Sequence, residues 1–128
     1  MSEELSLKVG LLQADLAWEN KEANLSLLRD YIDKLRHKPE ILILPEMFSS
    51  GFTMNPAKVA EENDGETIAA LCEISRKMGV VICGSFVAGN ETYFNRFFWI
   101  QQGELKKTYD KRHLFRMAEE NDVYTAGQ

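Results

Sequence analysis

The chain has 128 residues, of which 45% are hydrophobic and 27% are charged; this balance suits one globular domain and excludes collagen-like, low-complexity and wholly disordered chains. Fifteen lysines and arginines stand against 20 aspartates and glutamates, for a net charge of −5 at pH 7. The chain therefore offers no broad basic face for a nucleic acid, and no apolar run reaches the roughly 18 residues of a membrane span.

The amino terminus and the two cysteines indicate a cytoplasmic protein. Glu3 and Glu4 stand where a signal peptide would carry positive charge. Cys72 and Cys83 are too few for a disulfide framework, and neither has the spacing of a metal ligand. We therefore expect a reducing compartment and no metal site.

The first half of the chain predicts two strands joined by a helix. Residues 7–14 are mostly apolar and too short for a buried helix, which predicts a strand covered on both faces. After Asn20, a candidate N-cap, apolar residues recur at the spacing of an amphipathic helix: Leu25, Leu28, Ile32 and Leu35. Residues 41–44 form a second apolar strand that ends at Pro45. This succession is typical of a parallel crossover.

The second half predicts a helix and three more strands. Residues 49–64 have little periodicity and indicate a long loop or a broken helix; loops of this length are often functional. A helix is expected over residues 65–78 with Gly79 as its stop, followed by a buried strand over residues 80–85. Residues 93–100 and 104–109 have the spacing of a hairpin. The expected order is β-α-β-α-β-β-β, an α/β domain, followed by a charged stretch typical of an active-site loop.

Two charged residues are candidates for chemistry. Glu46 directly follows a buried strand, and open α/β sheets place their ligand crevices at that end of the strands. A partly desolvated carboxylate there suits a general base, although a surface residue that caps the next turn is the common alternative. Lys111 could stabilise an oxyanion, or it could belong to a solvated basic run. Cys72 and Cys83 lie on apolar faces and are expected to be inert packing.

Two segments resemble signature blocks of the nitrilase, or carbon-nitrogen hydrolase, superfamily. They are residues 43–48 (ILPEMF) and residues 109–115 (YDKRHLF). Residues 50–56 (SGFTMNP) are similar to the ω-amidase branch, whose members hydrolyse the side-chain amide of 2-oxo acids such as 2-oxoglutaramate. Residues 10–13, Gly84, Ser85 and Asn95 also fit, so the resemblance covers nearly the whole chain.

The resemblance implies a catalytic set and a fold. Glu46 matches the general base and Lys111 matches the lysine that stabilises the tetrahedral intermediate. Glu120 is preferred over Glu119 as the second, supporting acid. The family's nucleophilic cysteine follows a further strand and has no counterpart in this chain. We therefore expect residues 1–128 to be the N-terminal, incomplete part of a single α-β-β-α sandwich domain, with no turnover of its own.

The resemblance also bears on ligands and assembly. Phe48 could shape the substrate pocket, although plain packing is the common alternative for such a residue. Arg112 and Arg116 could pair with a substrate carboxylate, or they could be solvated surface residues. The expected partner is a small-molecule amide, with no metal, organic cofactor, nucleic acid or membrane involved, and the family implies a homo-oligomer. The alternative function is a catalytically inactive fragment that acts as a binding or assembly module.

Overall fold

A computed structural model describes residues 4–128 of the chain; residues 1–3, which include Glu3, lie outside the described part. Five strands form one sheet in chain order: β1 (Val9–Leu11), β2 (Ile41–Ile43), β3 (Val81–Gly89), β4 (Tyr93–Gln101) and β5 (Glu104–Asp110). The pairs β1–β2 and β2–β3 are parallel, whereas β3–β4 and β4–β5 are antiparallel. The α/β fold and the expected order of these elements are confirmed.

Two long helices, α1 (Lys21–Asp33) and α2 (Glu66–Met78), connect the parallel strands. The side chain of Asn20 accepts a hydrogen bond from the Ala23 amide at 3.0 Å, as expected of an N-cap. Gly79 ends α2 with a φ of 68°, and its amide donates to the Ser75 carbonyl. Short 3-10 helices (Pro56–Lys58 and Arg116–Ala118) and a third helix, α3 (Glu120–Val123), lie in the two long loops.

The core lies between the two long helices and one face of the sheet. Leu28 of α1 and Leu71 of α2 have no exposed surface. They pack in one cluster with the sheet residues Leu42, Ile82, Phe86, Phe98 and Ile100, which are also fully buried. Complete burial of such a side chain contributes about 1.5–3 kcal/mol relative to exposure. This cluster fixes the positions of the strands.

The opposite face of the sheet is largely open in the described residues. Side chains alternate across a strand, and on this face Val9 is 46%, Leu11 66% and Tyr109 50% exposed. The expectation that the first strand is covered on both faces is therefore wrong, and the strand has three residues instead of eight. Its apolar run suggested two covering layers, but the helices cover one side alone.

A smaller cluster covers one end of that open face. Met47, Val87 and Tyr124 are buried together there, next to residues from the loop after β2 and from the C-terminal segment. Tyr124 donates its hydroxyl to the Thr53 carbonyl at 2.8 Å, which ties the two segments together. This cluster lies beside the end of the sheet that carries Glu46.

No helix within residues 4–128 has the length and apolarity needed to cross a membrane.

Candidate active site

Four polar side chains from distant parts of the sequence meet at one end of the sheet, where the parallel strands β2 and β3 finish. Glu46 lies three residues after β2, Asn95 near the start of β4, Lys111 directly after β5 and Glu120 at the start of α3. β3 is parallel to β2, and β4 and β5 each run antiparallel to the strand before them. The same end of the sheet therefore contains the end of β2, the start of β4 and the end of β5. The topology therefore builds the cluster from residues up to 74 positions apart, from Glu46 to Glu120.

The ammonium group of Lys111 lies between two carboxylates. Its Nζ is 2.8 Å from Oε1 of Glu46 and 3.1 Å from Oε1 of Glu120. Burial lowers the pKa of Lys111, but the hydrogen bonds and charges of the two carboxylates outweigh burial and hold that pKa above its usual range. The Phe52 ring, 5.7 Å from Nζ, adds a cation–π contact. Lys111 is thus a fixed positive charge at neutral pH.

Glu120 has no exposed surface, and both of its carboxylate oxygens accept hydrogen bonds. Oε1 accepts from the Phe115 amide at 2.7 Å and forms the 3.1 Å ion pair with Lys111. Oε2 accepts from Nδ2 of Asn95 at 3.2 Å and from Nζ of Lys111 at 3.5 Å. Glu119, the alternative second acid, is exposed and adopts a left-handed backbone with a φ of 60°. The structure brings Glu120 to the lysine and leaves Glu119 in solvent.

Glu46 is held differently: its side chain is 46% exposed, whereas Glu120 is fully buried. Both of its donors, Asn95 Nδ2 at 2.6 Å and Lys111 Nζ at 2.8 Å, reach the same oxygen, Oε1. The turn that carries Glu46 is fixed to β3: the Met47 amide donates to Oγ of Ser85 at 2.8 Å, and Met47 itself has a φ of 51°. A strained, well-anchored turn of this kind is common at functional sites.

A pocket of about 370 Å³ lies on the open face beside this cluster. Glu46 and Lys111 line it together with residues of the sheet and of the end of β2, namely Ile43, Leu44, Cys83, Gly84, Ser85, Asn95, Phe97 and Tyr109. Its walls are mostly apolar and its charged groups come from the cluster alone, which is the usual composition of a small-molecule site.

Neither cysteine has the lowered thiol pKa of an activated nucleophile. Cys83 lines the pocket, but burial raises the pKa of its thiol. Burial also raises the pKa of Cys72, which packs against the core from α2. A thiol with a raised pKa carries little thiolate at neutral pH. Within residues 4–128, no group of His, Cys, Asp and Glu side chains is arranged to hold a metal ion.

The three residues expected to bind substrate do not line the pocket. Phe48 is fully buried in the core cluster. Arg116 is exposed in its 3-10 helix. Arg112 is also exposed, with its guanidinium 5.8 Å from the ring of Tyr109, a pocket residue, and it donates to the Gln128 carbonyl. Of these three, Arg112 lies beside a side chain of the pocket.

The bridging role of Asn95 was not predicted from the sequence. Asn95 fitted the family resemblance without an assigned role, yet it contacts both carboxylates and is 2% exposed. Its one signal is a polar side chain inside a strand rich in aromatic residues, next to Phe94 and close to Phe97 and Phe98. A buried polar residue in such a place needs hydrogen-bond partners, and the sequence does not identify them.

Comparisons with known proteins agree on one family. The carbon-nitrogen hydrolase family profile matches residues 8–127. The omega-amidase YafV of Yersinia enterocolitica is 37% identical over 124 residues, which cover 96% of this chain and 48% of the amidase. The 2-oxoglutaramate amidase of Bacillus subtilis is 26% identical over 93% of this chain and 48% of its own length. The chain thus spans about half the length of the curated relatives it matches.

Solved structures support the fold. A CN-hydrolase superfamily protein from Xanthomonas campestris superimposes with a TM-score of 0.87 and 35% identity, over 95% of this chain and 46% of that one. The amidase from Nesterenkonia sp. AN1, solved with acrylamide, gives a TM-score of 0.83 at 22% identity, over 95% of this chain and 48% of the amidase. The α/β fold described above is therefore that of nitrilase-superfamily structures over about half their length.

Proposed function

Because the chain belongs to the carbon-nitrogen hydrolase family, we propose that it forms the N-terminal part of an amidase that cleaves the side-chain amide of a small 2-oxo acid, such as 2-oxoglutaramate. Its homology to omega-amidases and to a 2-oxoglutaramate amidase supports this substrate class. The observation that carries the proposal is Lys111, held 2.8 Å from Glu46 and 3.1 Å from Glu120 beside a pocket. That arrangement combines a base and an oxyanion-stabilising cation.

In this mechanism a cysteine outside residues 1–128 is the nucleophile. Glu46 takes the thiol proton, and the sulfur attacks the amide carbon to form a tetrahedral intermediate. The Lys111 ammonium stabilises the negative charge on the carbonyl oxygen. Glu46 returns the proton to the leaving nitrogen, and ammonia and a thioester result. Water, deprotonated by Glu46, then attacks the thioester and releases the carboxylic acid and the thiol.

The different hydrogen bonding of the two carboxylates supports their separate roles. Both oxygens of Glu120 accept hydrogen bonds and the residue is fully buried, so it holds Lys111 in place and has no oxygen available for a proton from substrate. Glu46 is half-exposed at the pocket, and its donors occupy one oxygen. Glu46 is the base in this proposal, and Glu120 is the supporting acid.

The test is substitution in the enzyme expressed from its whole reading frame. General bases and oxyanion donors each contribute about 100-fold or more, so Glu46→Gln and Lys111→Ala should lower the rate of thioester formation by at least that factor. Lys107→Ala, which alters an exposed lysine of β5, is the matched control. Retention of most of the acylation rate by either site variant would refute the assigned roles.

The 128-residue chain alone should release no ammonia from 2-oxosuccinamate, because it has no counterpart of the family's nucleophilic cysteine and burial raises the thiol pKa of both Cys72 and Cys83. Steady turnover by the purified chain would contradict a nucleophile outside it. We also propose a cytoplasmic homo-oligomer that needs no metal or organic cofactor. Arg112, beside pocket residue Tyr109, is the better placed of the two candidate arginines for a substrate carboxylate.

A second candidate function, an assembly module without catalysis, is favoured by the open face of the sheet. Val9, Leu11, Phe97 and Tyr109 are each at least 36% exposed there, and large exposed apolar patches mark interaction surfaces. The occupant in this case is a second copy of the chain. Light scattering decides: a monomer with a cooperative melt at all concentrations would exclude this function.

A further inference from the structure

Asn95 is a neutral donor placed between two negative side chains. Its Nδ2 is 2.6 Å from Oε1 of Glu46 and 3.2 Å from Oε2 of Glu120. Asn95 is 2% exposed and lies on β4 opposite Val87 of β3, so the sheet fixes its backbone. One amide therefore connects the two carboxylates that also share Lys111.

We propose that Asn95 is a positioning residue that anchors Glu46 through Oε1 and thereby assigns proton transfer to Oε2. The inference rests on the proposed function, because it takes Glu46 as the base. Within residues 4–128, both side-chain donors to Glu46 reach Oε1 and none reaches Oε2. A carboxylate held in this way keeps the lone pairs of its second oxygen for an incoming proton.

Lys111 alone does not provide this anchor. The ammonium is shared with the buried carboxylate of Glu120, and an ion pair with a half-exposed side chain stabilises one geometry only weakly. A Glu side chain also has three rotatable bonds, which a single contact leaves partly free. A second donor on the same oxygen, carried by a rigid strand, removes that freedom.

The neutrality of the amide matters as well. The cluster already holds two carboxylates against one ammonium. A cationic donor at position 95 would compete with Lys111 for both carboxylates, and an anionic residue would repel them. Asparagine adds a hydrogen bond to each carboxylate and leaves the charge balance unchanged.

The experiment compares Asn95→Ala and Asn95→Leu with wild type in the complete enzyme. The Leu variant removes the donor at similar side-chain volume, so it serves if the Ala variant does not fold. We expect kcat for amide hydrolysis to fall by about tenfold or more in both, as expected for loss of a hydrogen bond to a charged group, while KM changes less than threefold. A crystal structure of the variant should show Glu46 beyond 4 Å from Lys111 Nζ, with the Glu120–Lys111 contact retained.

Asn24→Ala is the matched control. Asn24 is also a buried asparagine, but its partners are backbone groups of Ala17 and Ser49. This control should melt at a lower temperature yet keep kcat per folded molecule. The inference is overturned if Glu46 stays on Lys111 in the Asn95 variants or if their kcat remains within threefold of wild type. If wild type shows no turnover, the proposed function fails, and the position of Glu46 in the variant crystals still decides the role of Asn95.

Discussion

A carboxylate without solvent exposure, such as that of Glu120, is costly to bury unless other groups replace its hydration. In this site the replacements are the Lys111 ammonium, the Asn95 amide and the Phe115 backbone amide. Removal of the Glu120 carboxylate would take one partner from Lys111 and Asn95, which would then contact Glu46 alone, and would take the side-chain acceptor from the Phe115 amide. Glu120 is therefore expected to matter for stability as well as for catalysis.

Glu120→Ala should lower the free energy of unfolding by about 3 kcal/mol, the lower end of the range for a broken buried pair, because Lys111 is partly exposed. Glu119→Ala, at the exposed neighbouring position, should change it by less than about 0.5 kcal/mol. Urea denaturation of the two variants beside wild type measures the difference. Equal effects of the two substitutions would contradict the buried role of Glu120.

The raised pKa values of two residues predict a loss of stability at high pH. Burial raises the pKa of Tyr124 above its usual value of 10.0, and the two carboxylates raise that of Lys111 above 10.5. Both groups hold their protons more tightly in the folded state, so their contributions are complete below about pH 10 and are lost as the pH rises further. Urea denaturation at pH 8 and pH 10.5 should show this decrease.

Tyr124→Phe removes one of the two groups and should flatten the alkaline decrease. It also removes the hydrogen bond to Thr53, so we expect a free energy of unfolding lower by about 1 kcal/mol at pH 8. Tyr109→Phe is the control at an exposed tyrosine and should retain the wild-type dependence. An unchanged slope in Tyr124→Phe would mean that the alkaline loss arises elsewhere.

At the scale of elements, the hairpin between β4 and β5 depends on its two-residue turn. Gln102 and Gly103 have φ values of 55° and 74°, the combination of a type I′ turn. A Cβ at position 103 would lie 2.8 Å from Nε of Arg76. The position thus combines a left-handed backbone with a close neighbour.

Gly103→Ala should destabilise the chain by about 1–2 kcal/mol. Gln102→Asn, which places a residue that tolerates positive φ beside the glycine, should stabilise it by a few tenths of a kcal/mol, about 0.5 at most. Thermal denaturation of both variants provides the measurement. A neutral Gly103→Ala would show that the turn relaxes to another geometry at no cost.

Local patterns were sufficient to predict most of the elements. The N-cap Asn20, the stop at Gly79 and the hairpin all follow from neighbouring residues, and each is confirmed. The start of α2 was also placed within one residue, but the carboxylate that caps it was not predictable in this way: Glu61 accepts from the Thr67 amide at 3.0 Å. The extent of β1 also depended on tertiary contacts.

The arrangement of the candidate site depends on tertiary contacts even more than the ends of the elements do. Glu46 and Lys111 could be named as candidates from the sequence because each stands in a compact motif, whereas the contacts of Asn95 depend on the register of β4 against β3 and on the return of the chain to Glu120. Phe48 lies in the same motif as Glu46 and was expected in the pocket, but the turn after β2 directs it into the core. Orientation within a turn is not encoded in residue type.

At the scale of the whole molecule, the open face of the sheet should tolerate charge where the helical face does not. Leu11→Lys alters a residue that is 66% exposed, so we expect little change in stability and weaker self-association of the 128-residue chain. Leu42→Lys, in the adjacent strand but fully buried, should prevent folding. Circular dichroism and light scattering test both, and association unaffected by Leu11→Lys would place any contact between copies elsewhere.

The mixed sheet also has a consequence for the time course of folding. The antiparallel strands β3, β4 and β5 follow one another directly, whereas β1 and β2 reach their neighbours through connections that contain whole helices. Closing shorter loops costs less entropy, and local contacts generally form faster. Trp99 lies on β4 in the antiparallel part, and Trp18 lies between β1 and α1 in the parallel part. In stopped-flow fluorescence of single-tryptophan variants, the signal of Trp99 should therefore reach its folded value before that of Trp18. Glu46 follows β2 in the slower, parallel part, so we expect it to reach Asn95, Lys111 and Glu120 last.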